Sequence, residues 1–88
     1  MTSFVVSDGI YSKKTNGIWL ILNPDRSSYL ELDDVASFIW SKLQKPASPE
    51  AIAQAIVVEY DIDYETALHD VEDFIQAHLK KKLLKKSS

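Results

Sequence analysis

The stretch Tyr29-Leu-Glu-Leu-Asp-Asp-Val-Ala-Ser-Phe-Ile-Trp40 decides the fold, because it changes from strand to helix within two residues. Tyr29, Leu30 and Leu32 suit a pleated, half-buried surface. Asp33 stands where a helix N-cap belongs, and Asp34 falls in the first turn, where a carboxylate meets the positive end of the helix dipole. Beyond it Val35, Ala36, Ile39, Trp40 and Leu43 recur at helical spacing, which predicts a helix over 34–43 with Trp40 on its inner stripe.

Upstream the chain reads as strands. Phe4, Val5 and Val6 centre a short strand over 3–7, followed by the turn signal Asp8-Gly9. Lys13-Lys-Thr-Asn-Gly17 reads as a polar turn, and Asn16-Gly17 is the strongest hairpin signal in the chain. Ile18-Trp-Leu-Ile-Leu22 is apolar throughout. It predicts a central strand covered on both faces, or one whose outer face meets something else. Asn23-Pro-Asp-Arg-Ser27 reads as a second turn, and 28–32 as a third strand. Tight connections predict an antiparallel meander, with 28–32 at an edge unless the first strand pairs beside it.

Downstream the chain is helical. Pro46 stops the first helix. Ser48 caps a second, with Pro49 at its first position, where a missing N–H costs nothing. Ala51, Ile52, Ala55, Ile56 and Tyr60 form its inner stripe, widened by Val57 and Val58. Asp63 caps a third helix over 64–82. Leu68, Val71, Ile75 and Leu79 form one stripe on it and Ala67, Phe74 and His78 a neighbouring one, an apolar face wider than one contact needs. Leu83 and Leu84 are expected to fold back on the core. The order predicts an α+β domain resembling a winged helix-turn-helix, a three-stranded antiparallel sheet followed by three helices. One domain spans 1–84, and 85–88 form a frayed basic tail.

Composition narrows the function. The chain has 88 residues and no cysteine, so neither a disulfide nor a thiolate zinc cage is available. No apolar run reaches membrane-spanning length and the first residues lack the pattern of a signal peptide, which predicts a soluble cytoplasmic protein without a membrane partner. All thirteen acidic residues precede Lys80, whereas five lysines follow from Lys80 onward. Between Ser48 and Asp73, where a recognition helix would lie, there is no lysine or arginine. That argues against a groove-reading helix and predicts no nucleic-acid partner, which leaves a winged-helix DNA-binding regulator as the least favoured alternative. No nucleophile elbow or P-loop is present. His69 and Asp73 sit four apart on one helix, but two ligands do not make a metal site. Asp33 and Asp34 are explained by capping. No enzyme activity, cofactor or metal is expected.

The order and spacing of several motifs carry a resemblance. They are Ile18-Trp-Leu-Ile-Leu22, Tyr29-Leu-Glu-Leu-Asp33, Ile39-Trp40, Ser48-Pro-Glu50, Asp70-Val-Glu-Asp-Phe-Ile75 and Leu83-Leu84. In this respect the chain resembles the PqqD-like family, the RiPP recognition elements, over about two-thirds of its length. It departs from the family at Lys82, where a glycine is usual, at His78, where an apolar residue is usual, and at Asp33, which replaces Asn. The resemblance implies a non-enzymatic domain that binds the leader segment of a ribosomally made precursor peptide and delivers it to a processing enzyme. The leader would add as a strand to the third strand, against the third helix. Carried onto this sequence, the peptide-binding residues are Ser28, Tyr29, Leu30, Glu31, Leu32, Ala67, Asp70, Val71, Phe74 and His78. Leu30, Leu32, Val71, Phe74 and His78 would form apolar pockets, with Glu31 and Asp70 at the rim, although Val71 suits plain core packing. A proline at Leu30 is expected to block edge pairing by any strand that uses that N–H. Within the family, the N-terminal strand segment and the connection Asp61-Ile-Asp-Tyr-Glu-Thr-Ala67 resemble the discrete B1 proteins of lasso-peptide pathways, whose partner is a leader peptidase. The alternative is a PqqD-type peptide chaperone for a radical SAM enzyme in quinone cofactor synthesis. An open strand edge also invites a homodimer.

Overall fold

A computed structural model describes residues 2–22 and 28–87. The elements run β1 (Phe4–Val6), β2 (Ser12–Thr15), β3 (Ile18–Leu22), β4 (Tyr29–Glu31), α1 (Asp34–Lys42), α2 (Pro49–Tyr60), α3 (Tyr64–Lys80) and β5 (Leu84–Lys86). The predicted fold class stands, but one strand of the sheet is not the one expected. The three-stranded antiparallel sheet is β2-β3-β4, and β1 pairs with β5 instead. The polar segment Ser12–Thr15 is a strand because the turn after it imposes one. Asn16 and Gly17 both take positive φ, 53° and 82°, as a type I′ hairpin requires. This aligns Thr15 with Ile18, Lys14 with Trp19 and Ser12 with Ile21. The predicted turn over 23–27 lies outside the described residues.

The tail expected to fray is held as far as Ser87, whose N–H donates to Ser3 O at 2.8 Å. Phe4, Val5 and Val6 face Lys86, Lys85 and Leu84. On its other side β1 bonds the end of the first helix and the connection after it, with the Val6 N–H to Leu43 O at 3.0 Å and the Phe4 N–H to Ala47 O at 2.9 Å. Leu83 and Leu84 are buried, as predicted.

Each helix starts on its predicted cap. Asp33 accepts from the Ala36 N–H, Ser48 from the Ala51 N–H and Asp63 from the Thr66 N–H. Thr66 also donates its hydroxyl to Asp63 at 2.8 Å, and this bond chiefly holds the Asp63 carboxyl below its ordinary range. Trp40, fully buried at 0% exposure, centres a core with Ile21, Ile39, Leu43, Ile52, Ile56 and Ile75. On α3 the buried residues are Ala67, Val71, Ile75 and His78, while Leu68 and Leu79 are half-buried. The inner stripe is therefore rotated from the predicted Leu68–Leu79 line. On α2, Val58 is exposed rather than part of the inner stripe.

Lys82 keeps the turn that glycine usually closes. Its φ is +63°. The Leu83 N–H reaches His78 O and the Lys82 N–H reaches Leu79 O, both at 3.0 Å, the two bonds of a Schellman motif. A side chain in this left-handed conformation costs about 1–2 kcal/mol, partly offset by glycine's larger unfolded-state entropy. Lys82→Gly is therefore expected to stabilise the protein by roughly 0.5–1 kcal/mol in urea unfolding, whereas Lys82→Val should destabilise it.

Candidate functional site: the β4 edge and its groove

β4 is an edge strand, and its register shows which of its groups are free. Leu20, Ile21 and Leu22 face Glu31, Leu30 and Tyr29. One step further, the Leu32 N–H bonds Trp19 O at 3.0 Å. Bonding alternates along an antiparallel pair, so Leu30, two residues before Leu32, also turns its N–H and C=O toward β3. The N–H and C=O of Tyr29 and Glu31 point outward. A proline at Leu30 would thus break the sheet itself rather than cap its edge, and the outward amides are those of Tyr29 and Glu31.

The chain leaves the sheet at Leu32, and Ser37 bridges the gap. The Trp19 N–H donates to Ser37 Oγ at 2.9 Å, and the Ser37 hydroxyl donates to Leu32 O at 3.3 Å. One turn on, the Trp19 indole N–H donates to Ser41 Oγ at 2.7 Å. Two serines on one face of α1 thereby fix the helix against β3 and set where the edge ends.

At that end a groove of about 480 Å³ opens between α1 and α3. Val35, Ala36, Ile39 and Phe74 supply its apolar lining, and Asp33, Asp70 and Asp73 its polar lining. Of the residues expected to bind peptide, Tyr29, Leu30 and Glu31 lie on the edge, and Asp70 and Phe74 line this groove. Ser28 is exposed just before β4. Leu32, Ala67 and Val71 are core residues, so they shape the site from beneath. Glu31 does not face the groove. Residues opposite one another in a sheet share a face, which places Glu31 beside Leu20 and Tyr29 beside Leu22 on the outer face. There Lys13 Nζ lies 5.1 Å from the Tyr29 ring centroid. The groove residues that sequence reasoning missed are Asp33, Val35, Ala36, Ile39 and Asp73. In the sequence, Asp33 is explained by its cap and Ile39 by the helical spacing it shares with Val35 and Leu43.

His78 is not an open groove wall. It is 8% exposed, and its ring stacks on Phe74 at 3.9 Å between centroids. Nδ1 lies 2.7 Å from Phe74 O, to which it donates as the Nδ1–H tautomer, leaving Nε2 buried without a partner. Burial lowers the His78 pKa, and the positive charge of Lys81 adds to this, against the Phe74 bond. The folded protein therefore holds it neutral, whereas the unfolded chain takes up a proton near its ordinary value of about 6.5. The unfolded state binds more protons, so stability should fall as pH drops through 6.5 toward the lower folded value. The urea midpoint is expected to fall between pH 8 and pH 5.5, and His78→Leu should remove much of that slope. An equal slope in the variant would assign it to other groups.

His69 and Asp73 form an exposed pair at 3.2 Å. Among the described residues no group of three or more His, Asp or Glu side chains could hold a metal, and no helix is long and apolar enough to cross a membrane.

A family model described as Coenzyme PQQ synthesis protein D (PqqD) matches residues 19–84. Among solved structures, "TbiB1 in Complex with the TbiA(beta) Leader Peptide" is 36% identical, with TM-score 0.83 over 92% of this chain and 94% of that one. "Lasso peptide synthetase B1 complexed with the leader peptide" is 24% identical, with TM-score 0.76 over 97% and 98%. The PqqD truncation of Methylobacterium extorquens PqqCD, described as a stand-alone RiPP recognition element, is 19% identical, with TM-score 0.77 over 94% and 88%. At those last two identities the likeness concerns the fold. A search of curated proteins finds no match.

Proposed function

From the premise that this chain belongs to the PqqD family, we propose that it is a RiPP recognition element that captures the leader segment of a ribosomally made precursor peptide. The leader pairs with the outward N–H and C=O of Tyr29 and Glu31 and extends the sheet beyond β4. Its groove-facing side chains rest on Phe74, Ile39 and Val35. The observation that carries this reading is a strand edge, unpaired among the described residues, that ends at a groove lined by apolar side chains and carboxylates. Captured this way, the leader is presented to a separate processing enzyme. Several candidate acids and bases serve the fold: Asp33 and Asp63 cap helices and His78 is buried, while His69 and Asp73 form an exposed surface pair. The protein acts by binding, not by catalysis.

A lasso-type precursor, handed to a leader peptidase, is the favoured substrate. The 36% identity to TbiB1 supports it over a quinone-cofactor role, given 19% to the PqqD truncation. An amide NMR titration with the TbiA(β) leader peptide tests capture at this edge. Shifts are expected in residues 29–32 and 70–74, with slowed exchange of the Tyr29 and Glu31 amides. Shifts confined to β5, or salt-sensitive shifts in α2 and α3 with duplex DNA and none with the leader, would overturn the reading.

A further inference from the structure

The groove has a charge as well as a shape. Asp33, Asp70 and Asp73 line it, and among the described residues no lysine or arginine does. The ion pairs among the described residues are His69–Asp73 and Lys85–Asp8, so none of the described lysines is paired with Asp33 or Asp70. Most lysines gather at the other end of the fold. Lys42 ends α1 and Lys45 follows it, Lys80 ends α3 and Lys81 and Lys82 follow it, and both ends converge on β1 through Val6 N–H to Leu43 O and Ser7 N–H to Leu83 O. The positive end of α1 partly offsets Asp33. It does nothing for Asp70 and Asp73, which stand mid-helix on α3.

Spacing adds to charge. Phe74 follows Asp70 by four residues, so the apolar lining and the carboxylate are separated by about 6 Å along α3. Side chains on one face of a strand recur every second residue, about 6.5–7 Å apart. A strand laid on β4 beside α3 therefore presents successive groove-facing side chains at nearly the separation of Phe74 and Asp70. A lysine or arginine can lay its stem on the apolar lining while its head reaches the rim.

We infer that the groove selects a leader segment in which a large apolar side chain is followed or preceded, two residues away, by a lysine or arginine that meets Asp70 with Asp33 or Asp73. This rests on the strand-addition reading and specifies its ligand. An anionic or neutral leader segment would leave these carboxylates to be desolvated without compensation.

The test is selection of a displayed library of random peptides on the purified full chain, with Asp33→Asn/Asp70→Asn and Asp70→Lys variants in parallel. Asparagine caps a helix as aspartate does, so α1 keeps its start. Circular dichroism and the urea midpoint verify folding of each variant. Peptides selected by the native chain are expected to be enriched in Lys or Arg two residues from an apolar residue. Asp70→Lys should weaken a selected peptide roughly five- to tenfold, with rescue by a Lys→Glu change in the peptide. Binding that backbone N-methylation of the peptide abolishes, but that shows no basic enrichment and ignores the variants, would overturn the charge selection and leave strand addition standing. If no selected peptide is sensitive to N-methylation, strand addition fails and this inference fails with it.

Discussion

Glu31→Pro is expected to lower leader affinity by about 2–3 kcal/mol, some 30- to 150-fold, while leaving the fold intact. The Glu31 N–H points out of the sheet, so proline removes no bond to β3. It does remove one of the few groups on which an added strand can bond. β4 is three residues long and offers the N–H and C=O of only Tyr29 and Glu31 outward. With each hydrogen bond contributing a net 0.5–1.5 kcal/mol or so, no part of so short an edge is dispensable. The proline ring also meets the incoming carbonyl and leaves it unpaired. Leu30→Pro gives the contrast. It removes the bond toward Ile21 in mid-sheet and should lower the unfolding midpoint steeply. Isothermal titration with a bound leader or selected peptide, beside urea unfolding, separates the two. If Glu31→Pro bound as well as the native chain, strand addition at β4 would be excluded.

How much of this edge was legible follows from which forces act locally. The three caps at Asp33, Ser48 and Asp63 were readable because a cap is a contact between residues three apart. The hairpin at Asn16-Gly17 was readable for the same reason. A type I′ turn pairs both flanks, so an apolar strand at Ile18–Leu22 demands a partner at Ser12–Thr15 whatever its composition. Two lysines and a serine concealed it, since only Thr15 of the four favours a strand and none is apolar. Ser12 earns its place by tertiary contact, accepting from the Trp40 indole N–H at 3.2 Å. The pairing of Phe4–Val6 with Leu84–Lys86 joins the two ends of the chain, and no periodicity encodes such a contact.

The site was legible in its elements and less so in its side chains. Strand 28–32 and the wide apolar face of the third helix were identified. Assigning Glu31 to the groove rim overlooked the pleat: Leu30 faces inward with Ile21, so its neighbours Tyr29 and Glu31 face out. Asp33 was hidden by its other role. One of its oxygens accepts from the Ala36 N–H at 2.8 Å, and a residue that caps a helix at the end of an edge strand also stands at the mouth of any groove beginning there. Val71, at 0% exposure, and Ala67 belong to the rotated inner stripe of α3, whose angle was set by packing against α2 and β5.

Trp40→Ala should be the most destabilising single change, because one side chain serves both halves of the fold. Trp40 is the largest fully buried side chain and joins α1 to β2 through Ser12. Its ring also lies 6.3 Å from His78 on α3. Truncating a buried aromatic to alanine costs about 3–5 kcal/mol through lost transfer energy and the cavity left behind. A domain of this size is stable by roughly 5–10 kcal/mol, so about half of that margin would go. Trp40→Phe isolates the polar contribution. It keeps much of the packing but removes the donor to Ser12, and roughly 1–2 kcal/mol is expected. Urea unfolding followed by far-ultraviolet circular dichroism checks both values, and Trp19 remains as a fluorescence probe in each variant. Because His78 stacks on Phe74 in the groove, the cavity in Trp40→Ala should also reach the binding site. Leader affinity is expected to fall even under conditions where the variant is fully folded. A variant that lost stability but bound the leader as tightly as the native chain would show that the core supports the groove only by keeping the chain folded.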